Sequence, residues 1–133
     1  MATEAAGIDR PLLVDDFLQR RRYQLQLADA AADEHTLVCL PTGLGKTTVS
    51  LLVTAERLHE AGGKALFLAP TKPLVQQHAD FYREALSIPD DEIVVFTGDV
   101  KPDDRAALWD DARIVIATPQ VVENDLVGNR ISL

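Results

Sequence analysis

One short run in the sequence combines glycines, a lysine and hydroxyl groups in an order that suits phosphate binding. Residues 40–47 read LPTGLGKT. Gly43 and Gly45 let the backbone N–H groups approach phosphate oxygens without a Cβ in the way. Lys46 can reach the β- and γ-phosphates, and the hydroxyl of Thr47 can hold Mg²⁺. The run predicts a nucleotide site, with Lys46 and Thr47 as its candidate catalytic residues.

The elements around this run are those that hold a phosphate loop. Thr36–Leu40 is a short apolar run typical of a buried parallel strand, and helical spacing follows over Thr47–Ala61. The amino end of that helix adds partial positive charge beside the loop. The general pattern has Gly where this chain has Leu40, so a chance glycine-rich turn is the alternative. The predicted ligands are ATP and Mg²⁺, bound by Thr42, Gly43, Leu44, Gly45, Lys46, Thr47 and Thr48.

Strand and helix patterns then alternate along the chain. Gly62-Gly63 is expected to end the first of these helices. Strands are predicted over Lys64–Ala69, Ile93–Phe96 and Arg113–Ala117, helices over Pro73–Leu86, Pro102–Trp109 and Pro119–Leu126, and an earlier helical pattern within Arg10–Ala32. This alternation predicts an α/β fold in which right-handed crossovers build a parallel sheet covered on both faces.

Length and charge limit the function classes. The chain has 133 residues, of which 47% are hydrophobic, enough for a substantial core. Twenty-one acidic residues against 13 Lys and Arg give a net charge of −8, which argues against binding nucleic acid or anionic membrane through bulk positive charge. The excess is rich in Asp and poor in Lys, which favours a surface adapted to high salt; an ordinary acidic cytosolic protein is the alternative.

Several residues favour a structural interpretation, and the chain carries no targeting signal that we recognise. Cys39 is the single cysteine and fits a reducing compartment, and no apolar run is long enough to span a membrane. We therefore expect a cytoplasmic protein, with residues 1–9 forming a flexible terminus. His35, His59 and His78 lack metal-ligand spacing. Trp109 is expected to pack a helix, and the acidic pairs 103–104 and 110–111 are expected on the surface.

The motifs in this order resemble those of superfamily 2 helicases. Pro41–Thr47 is similar to motif I, which in this superfamily commonly lacks the first Gly. Ala69–Gln77 resembles motif Ia, Phe96–Gly98 motif Ib and Ala117–Gln120 motif Ic, and Arg22-Tyr23-Gln24 resembles the adenine-reading element. The later motifs, ending in ATPQVVENDL at residues 117–126, are similar to the Hef/FANCM group of archaeal helicase–nucleases and eukaryotic relatives, over about residues 20–133.

This resemblance implies a RecA-like P-loop lobe over residues 10–133 of an ATP-dependent DNA helicase or translocase. The implied substrate is forked or branched DNA in repair and fork processing. Gln24 would contact the adenine edge, with Arg22 nearby. The residues implied to lie along the sugar–phosphate backbone of a bound strand are Pro70, Thr71, Lys72, Thr97, Gly98, Thr118, Pro119 and Gln120. Taken singly, these prolines, threonines and glycines could equally mark strand ends, helix starts and turns.

A complete motor also needs carboxylates that hold Mg²⁺ and activate water. Adjacent Asp and Glu occur at Asp33-Glu34 and Asp91-Glu92, and neither pair follows an apolar strand. We therefore expect a lobe truncated before the Walker B strand, with a second RecA-like lobe and possibly a nuclease domain elsewhere in a longer polypeptide. The alternatives are another superfamily 2 motor, such as an RNA-directed RIG-I-like helicase or a restriction-enzyme translocase, and a non-catalytic nucleotide-dependent DNA-binding module.

Overall fold

A computed structural model describes residues 12, 26, 28–31 and 46–133, with the side chain of Lys46 left out. Its helices are α1 (Lys46–Ala61), α2 (Lys72–Ala85), α3 (Pro102–Asp111) and α4 (Pro119–Val127). Its strands are β1 (Ala65–Leu68), β2 (Ile93–Phe96) and β3 (Ile114–Ala117), and a 3₁₀ turn covers Asp90–Glu92. These bounds confirm the predicted alternation to within a few residues at each end. The predicted strand at Thr36–Leu40 lies outside the described residues.

The three strands form one parallel sheet in the order β1-β3-β2. Leu68 and Phe96 both pair in register with Ala117, so the three strands end level with one another. β3 is completely buried because it lies between the other two and is covered on both faces. The short apolar runs in the sequence form strands of this kind because a central parallel strand has no solvent-facing side.

The two faces of this sheet are covered by different helices. On one face, Phe67 of β1 lies 5.6 Å, between ring centroids, from Tyr82 of α2. On the other face, Phe96 of β2 lies 6.2 Å from Trp109 of α3. Val121 and Val122 of α4 belong to the same buried cluster as Trp109, which confirms the prediction that Trp109 packs a helix.

Two features fix the ends of helices. Gly62 and Gly63 have φ values of 65° and 80°, a left-handed conformation that Gly adopts without a Cβ penalty, and they end α1 as predicted. Lys64 donates from Nζ to the carbonyl oxygens of Trp109 and Ala112, at the end of α3. A lysine charge is favourable there because the carboxyl end of a helix carries partial negative charge.

The described residues divide into two compact units. One comprises the described residues up to Gly62 together with Ala85–Ser87, and the other comprises Gly63–Glu84 and Ile88–Leu133. In the first unit, α1 buries Leu51, Leu52, Ala55 and Leu58, the four positions predicted from helical spacing. In the second unit lies the whole three-stranded sheet. Within the described part of the chain, no helix is long and apolar enough to cross a membrane.

Candidate nucleic-acid interface

All three predicted strand-binding motifs lie at the carboxyl edge of the sheet. Loop 1 (residues 69–72) follows β1, loop 2 (residues 97–101) follows β2, and loop 3 (residues 118–120) follows β3. Because the three strands end level, the loops leave the sheet side by side, with loop 3 between the others. Segments whose first residues, Ala69 and Thr118, are 49 positions apart in the sequence are thereby brought together. This edge is where open α/β sheets place ligands.

Loop 1 is exposed except for the buried Ala69, and it leads directly into α2. The amide of Ala69 donates to the carbonyl of Ala117 at 3.0 Å, which holds the start of the loop beside β3. Thr71 caps α2: its hydroxyl oxygen accepts from the amide of Leu74 at 3.4 Å, and its carbonyl accepts from Val75 at 3.0 Å. Pro70, Thr71 and Lys72 are all exposed, as a surface for a ligand requires.

Loop 2 is a tight turn built on a buried threonine. Thr97 is only 6% exposed, and its hydroxyl oxygen accepts from the amide of Asp99 at 3.3 Å. Its carbonyl accepts from the amide of Val100 at 3.1 Å, which closes the turn. Gly98 is exposed at the tip, does not have a left-handed φ, and would place a Cβ in open space. Thr97 thus shapes the turn, and Gly98 and Asp99 form its outer surface.

One ion pair connects loops 1 and 2. Lys72 Nζ lies 2.9 Å from Asp99 Oδ1, with the two side chains 55% and 76% exposed. Exposed pairs of this kind contribute about 1 kcal/mol or less, because water solvates both charges and the side chains lose freedom. A phosphate oxygen can therefore replace the Asp99 carboxylate on Lys72 at small cost.

Loop 3 is the start of α4. Thr118 is the residue before that helix, is 8% exposed, and its amide donates to the carbonyl of Phe96 at 3.2 Å. Pro119 occupies the first turn, where its missing N–H costs nothing, and Gln120 follows it; both are exposed. As with Thr97, the structure places the predicted Thr118 contact in a buried position and its neighbours on the surface.

The helix termini make this edge favourable for anions despite the net charge of the chain. α2 and α4 both begin at this edge and have no acidic residue in their first turns. Their partial positive charge is thus available to phosphate. Pro73 and Pro119 have no N–H and the amide of Leu74 already donates to Thr71, so few backbone N–H groups remain for a ligand. α3 also begins here but carries Asp103 and Asp104 in its first turn, which oppose that charge.

A buried ionic cluster behind loops 2 and 3 was not predicted. Arg105 donates from Nε to Asp125 Oδ2 and from Nη2 to Oδ1, both at 2.7 Å, and Arg130 Nε donates to the same Oδ1 at 2.9 Å. Asp125 is completely buried, and Arg105 is 5% exposed. The hydrogen bonds from Arg105, supported by Arg130, hold the pKa of the Asp125 carboxyl below its usual range although burial acts in the opposite direction. Both residues lie on predicted helices, Arg105 within Pro102–Trp109 and Asp125 within Pro119–Leu126, but no sequence signal pairs them.

The predicted nucleotide site is described only at its carboxyl end. Arg22, Gln24, Thr42, Gly43, Leu44 and Gly45 lie outside the described residues. Lys46 opens α1, and Thr47 and Thr48 lie half-buried in its first turn. No acidic residue is present in that turn, so the helix terminus fits the phosphate groups of a nucleotide.

The described His, Asp and Glu side chains form no candidate metal site. Across the described ranges, no group of three or more His, Cys, Asp and Glu side chains could hold a metal ion. His78 packs against Phe67, with 4.7 Å between ring centroids, and burial lowers its pKa. Asp91 and Glu92 lie in the 3₁₀ turn before β2, at the end of the strand opposite to the loops. This pair therefore lies away from the strand ends that carry loops 1, 2 and 3.

Comparison with known proteins identifies the family. The family model for DEAD/DEAH box helicases matches residues 21–132. The crystal structure of the Pyrococcus furiosus Hef helicase domain is 44% identical with a TM-score of 0.89, over 92% of this chain and 26% of that one. A Methanocaldococcus jannaschii protein named as an ATP-dependent RNA helicase is 44% identical, over 95% of this chain and 16% of its own length. The Fanconi anemia group M protein of Gallus gallus is 43% identical, over 80% of this chain and 5% of its own length.

These matches confirm the resemblance to superfamily 2 helicases and the RecA-like fold of the sheet. The chain spans a small part of the relatives that it matches, at most 16% of the two curated proteins. The family model nevertheless covers most of the chain, including α1 and all three loops. The chain belongs to the DEAD/DEAH box helicase family.

Proposed function

We propose that this chain is the ATP-binding part of an ATP-dependent DNA helicase or translocase that acts on forked or branched DNA, as in the Hef/FANCM group. The observation that carries the proposal is the meeting of loops 1, 2 and 3 at one sheet edge, where two unopposed helix termini and Lys72 face outward. Such an edge suits the sugar–phosphate backbone, because it offers two helix termini and two exposed lysines, Lys72 and Lys101, and little that could read bases. The names of the Fanconi anemia group M protein and of the Hef helicase domain support this assignment.

ATP with Mg²⁺ is the proposed cofactor. Lys46 would bind the phosphates, Thr47 would hold the metal ion, and Thr42 to Thr48 would surround the nucleotide, with Gln24 and Arg22 at its base. The open first turn of α1 supports this placement. When bound, ATP supplies the free energy that drives movement along the strand. Residues 10–133 would form part of one lobe, and the complete gene product would supply a second RecA-like lobe and, if it is Hef-like, a nuclease domain.

DNA is favoured over RNA as the substrate, although the relatives from Methanocaldococcus jannaschii and Arabidopsis thaliana are named as RNA helicases. The described loops offer backbone and hydroxyl groups that could contact either nucleic acid, so the preference depends on the relatives named as DNA helicases, such as those of Drosophila melanogaster and Coccidioides immitis. A non-catalytic module is disfavoured because the match to the helicase family extends through the nucleotide-binding segment.

The function is tested by binding of the complete gene product to fluorescent forked DNA, linear duplex and a matched forked RNA, over a range of salt concentrations. We expect forked DNA to bind most tightly. Lys72→Ala should weaken binding and reduce the slope of log K against log salt by about one, because one phosphate contact is lost. Asp99→Asn should strengthen binding about two- to fivefold, because it frees Lys72 from a weak exposed pair.

The control is Arg57→Ala, which removes one positive charge from α1 and should leave the salt slope unchanged. Tighter binding of RNA than of DNA would overturn the proposed substrate. Equal effects of Lys72→Ala and Arg57→Ala would overturn the proposed interface.

A salt-rich cytoplasm, as in a haloarchaeon, is the proposed environment. The support is an Asp-rich composition, 21 acids against 13 bases, and the exposure of Asp103, Asp104, Asp110 and Asp111 on α3. High salt screens repulsion among such charges. Melting temperature should then rise steadily between about 0.2 and 2 M KCl, at concentrations far above those that screen an ordinary protein. No rise above about 0.5 M KCl would favour an ordinary acidic protein.

A further inference from the structure

We propose that Arg105 is a positioning residue that fixes loop 2, through the carbonyl of Val100, relative to loop 3, through Asp125. The inference rests on the proposed function, because its consequence is measured as a change in affinity for DNA. Arg105 itself lies behind the loops and is 5% exposed, so it is not placed to touch a strand.

The geometry of Arg105 leaves it little freedom. Its Nε and Nη2 donate to the two oxygens of Asp125, both at 2.7 Å, in a bidentate pair. A planar guanidinium held in this way has its third nitrogen fixed in direction. That nitrogen, Nη1, donates to the carbonyl of Val100 at 2.5 Å. The position of Val100 is thereby tied to the position of Asp125.

Val100 in turn determines the shape of loop 2. Its amide donates to the carbonyl of Thr97 at 3.1 Å, and the amide of Asp99 donates to the Thr97 hydroxyl oxygen at 3.3 Å. The turn is therefore held at one end by β2 and at the other by Arg105. Without Arg105, Gly98 and Asp99 would be held only by the two hydrogen bonds to Thr97 and by the exposed ion pair of Asp99 with Lys72.

Asp125 extends the connection to loop 3. It lies on α4, the helix that begins at Pro119 directly after Thr118. Arg130 holds Asp125 from the other side, with Nε at 2.9 Å from Oδ1 and Nη2 at 3.2 Å from the carbonyl of Asn124. Loop 2, through Arg105, and loop 3, through α4, are thus both fixed relative to the buried carboxylate of Asp125.

The chemistry of the pair favours positioning over simple stabilisation. Buried ion pairs contribute little net stability compared with apolar residues of the same volume, because both charges lose their hydration. The pair instead fixes the orientation of the guanidinium, which donates to a carboxylate and to a backbone carbonyl at the same time. Lysine keeps the charge but cannot hold that fork.

The test compares Arg105→Lys with Arg83→Lys in the complete gene product. Arg83 is the matched control because it too donates from a helix to a backbone carbonyl. Its Nη2 donates to the carbonyl of Ile93 at 2.6 Å, at the amino end of β2 and therefore far from loop 2. Two quantities are measured: affinity for forked DNA, and hydrogen exchange of the amides of Asp99 and Val100. Nucleotide affinity without DNA checks that the remainder of the protein is intact.

We expect Arg105→Lys to accelerate exchange at Asp99 and Val100, to weaken DNA binding at least threefold and to leave nucleotide affinity unchanged. Arg83→Lys should change neither the loop exchange nor the DNA affinity. Faster exchange without weaker DNA binding would overturn the proposal, as would equal losses of DNA affinity in the two variants. If Arg105→Lys does not fold, Asp125→Asn is judged by the same two outcomes.

Failure of the proposed function gives a different pattern of results. If wild type does not bind DNA, the DNA assignment fails, and if Lys72→Ala has no effect, the proposed interface fails. The exchange of Asp99 and Val100 in Arg105→Lys then still decides whether Arg105 fixes loop 2.

Discussion

At the scale of single residues, the loops separate into side chains that shape the edge and side chains that are free to contact a ligand. Thr97 and Thr118 are buried, and the hydroxyl of Thr97 is used within its own turn. Lys72, Gly98 and Gln120 are exposed on the same edge. The buried threonines therefore act through the backbone groups that they position, and the exposed residues supply the surface.

Gly98 gives the sharpest test of this separation. Its φ is not left-handed and an added Cβ would meet open space, so the fold does not require glycine there. Gly98→Ala should leave the free energy of unfolding unchanged or raise it by up to about 1 kcal/mol, because alanine restricts the unfolded chain. DNA affinity should nevertheless fall, because the Cβ would stand where a strand approaches the backbone.

The measurement is a comparison of Gly98→Ala with Gly128→Ala by thermal melting and DNA binding. A Cβ at Gly128 would lie 2.8 Å from Arg130 Nη1, the flexible end of a side chain, so that variant should move the Arg130 guanidinium at little cost in stability and leave loop 2 unchanged. Unchanged DNA affinity in Gly98→Ala would show that no strand approaches loop 2 at this point.

At the scale of elements, the sequence predicts the strands and helices well because their periods are local. The apolar run Arg113–Ala117 predicts β3, and Pro102 and Pro119 predict the starts of α3 and α4. The ion pair of Arg105 and Asp125 could not be predicted in the same way. The two residues are 20 positions apart and meet because α3 and α4 pack on the same face of the sheet. Most Arg and Asp residues on helices face water, so composition gives no reason to bury these two.

The buried position of Asp125 leads to a prediction on stability and pH. Asp125→Asn leaves Arg105 buried without its counter-charge, which should cost about 3–5 kcal/mol at pH 7. The pKa of Asp125 is lowered in the folded state, first by the hydrogen bonds from Arg105. Its contribution is therefore fully present above the unfolded pKa, about 3.9, and is lost as the pH falls through the lower folded pKa.

Urea-dependent hydrogen exchange of the β3 amides measures this, because these amides lie at the centre of the sheet. The difference between wild type and Asp125→Asn should stay constant from pH 7 to about pH 4.5 and close only below about pH 3.9. Asp80→Asn is the control: Asp80 is 61% exposed and lies 4.0 Å from Arg83, so its removal should cost under about 1 kcal/mol. A difference that closes above pH 5 would contradict the lowered pKa.

At the scale of the whole molecule, the chain divides its two candidate sites between its two units. The nucleotide-binding residues Lys46, Thr47 and Thr48 belong to the first unit, and loops 1, 2 and 3 belong to the second. The net charge of −8 is compatible with DNA binding, because the loop edge relies on helix termini and two lysines more than on bulk charge. The net charge of a chain predicts its solubility and the electrostatic steering of its ligands better than it predicts the charge of one local surface.

Hydrolysis should depend on groups beyond these 133 residues. The chain contains Asp-Glu pairs at residues 33–34 and 91–92, and the second of these precedes a strand at the edge opposite to the loops. Activation of water needs a carboxylate beside the phosphates. We expect the 133-residue chain to bind nucleotide weakly and to release little phosphate with or without DNA.

The complete gene product should release phosphate faster when forked DNA is added, and Lys46→Ala should abolish that release while Arg57→Ala retains it. Rapid phosphate release by the 133-residue chain that Lys46→Ala abolishes would contradict this prediction. The chain would then hold its own catalytic carboxylate, and that group would be neither Asp91 nor Glu92, which lie at the far end of β2.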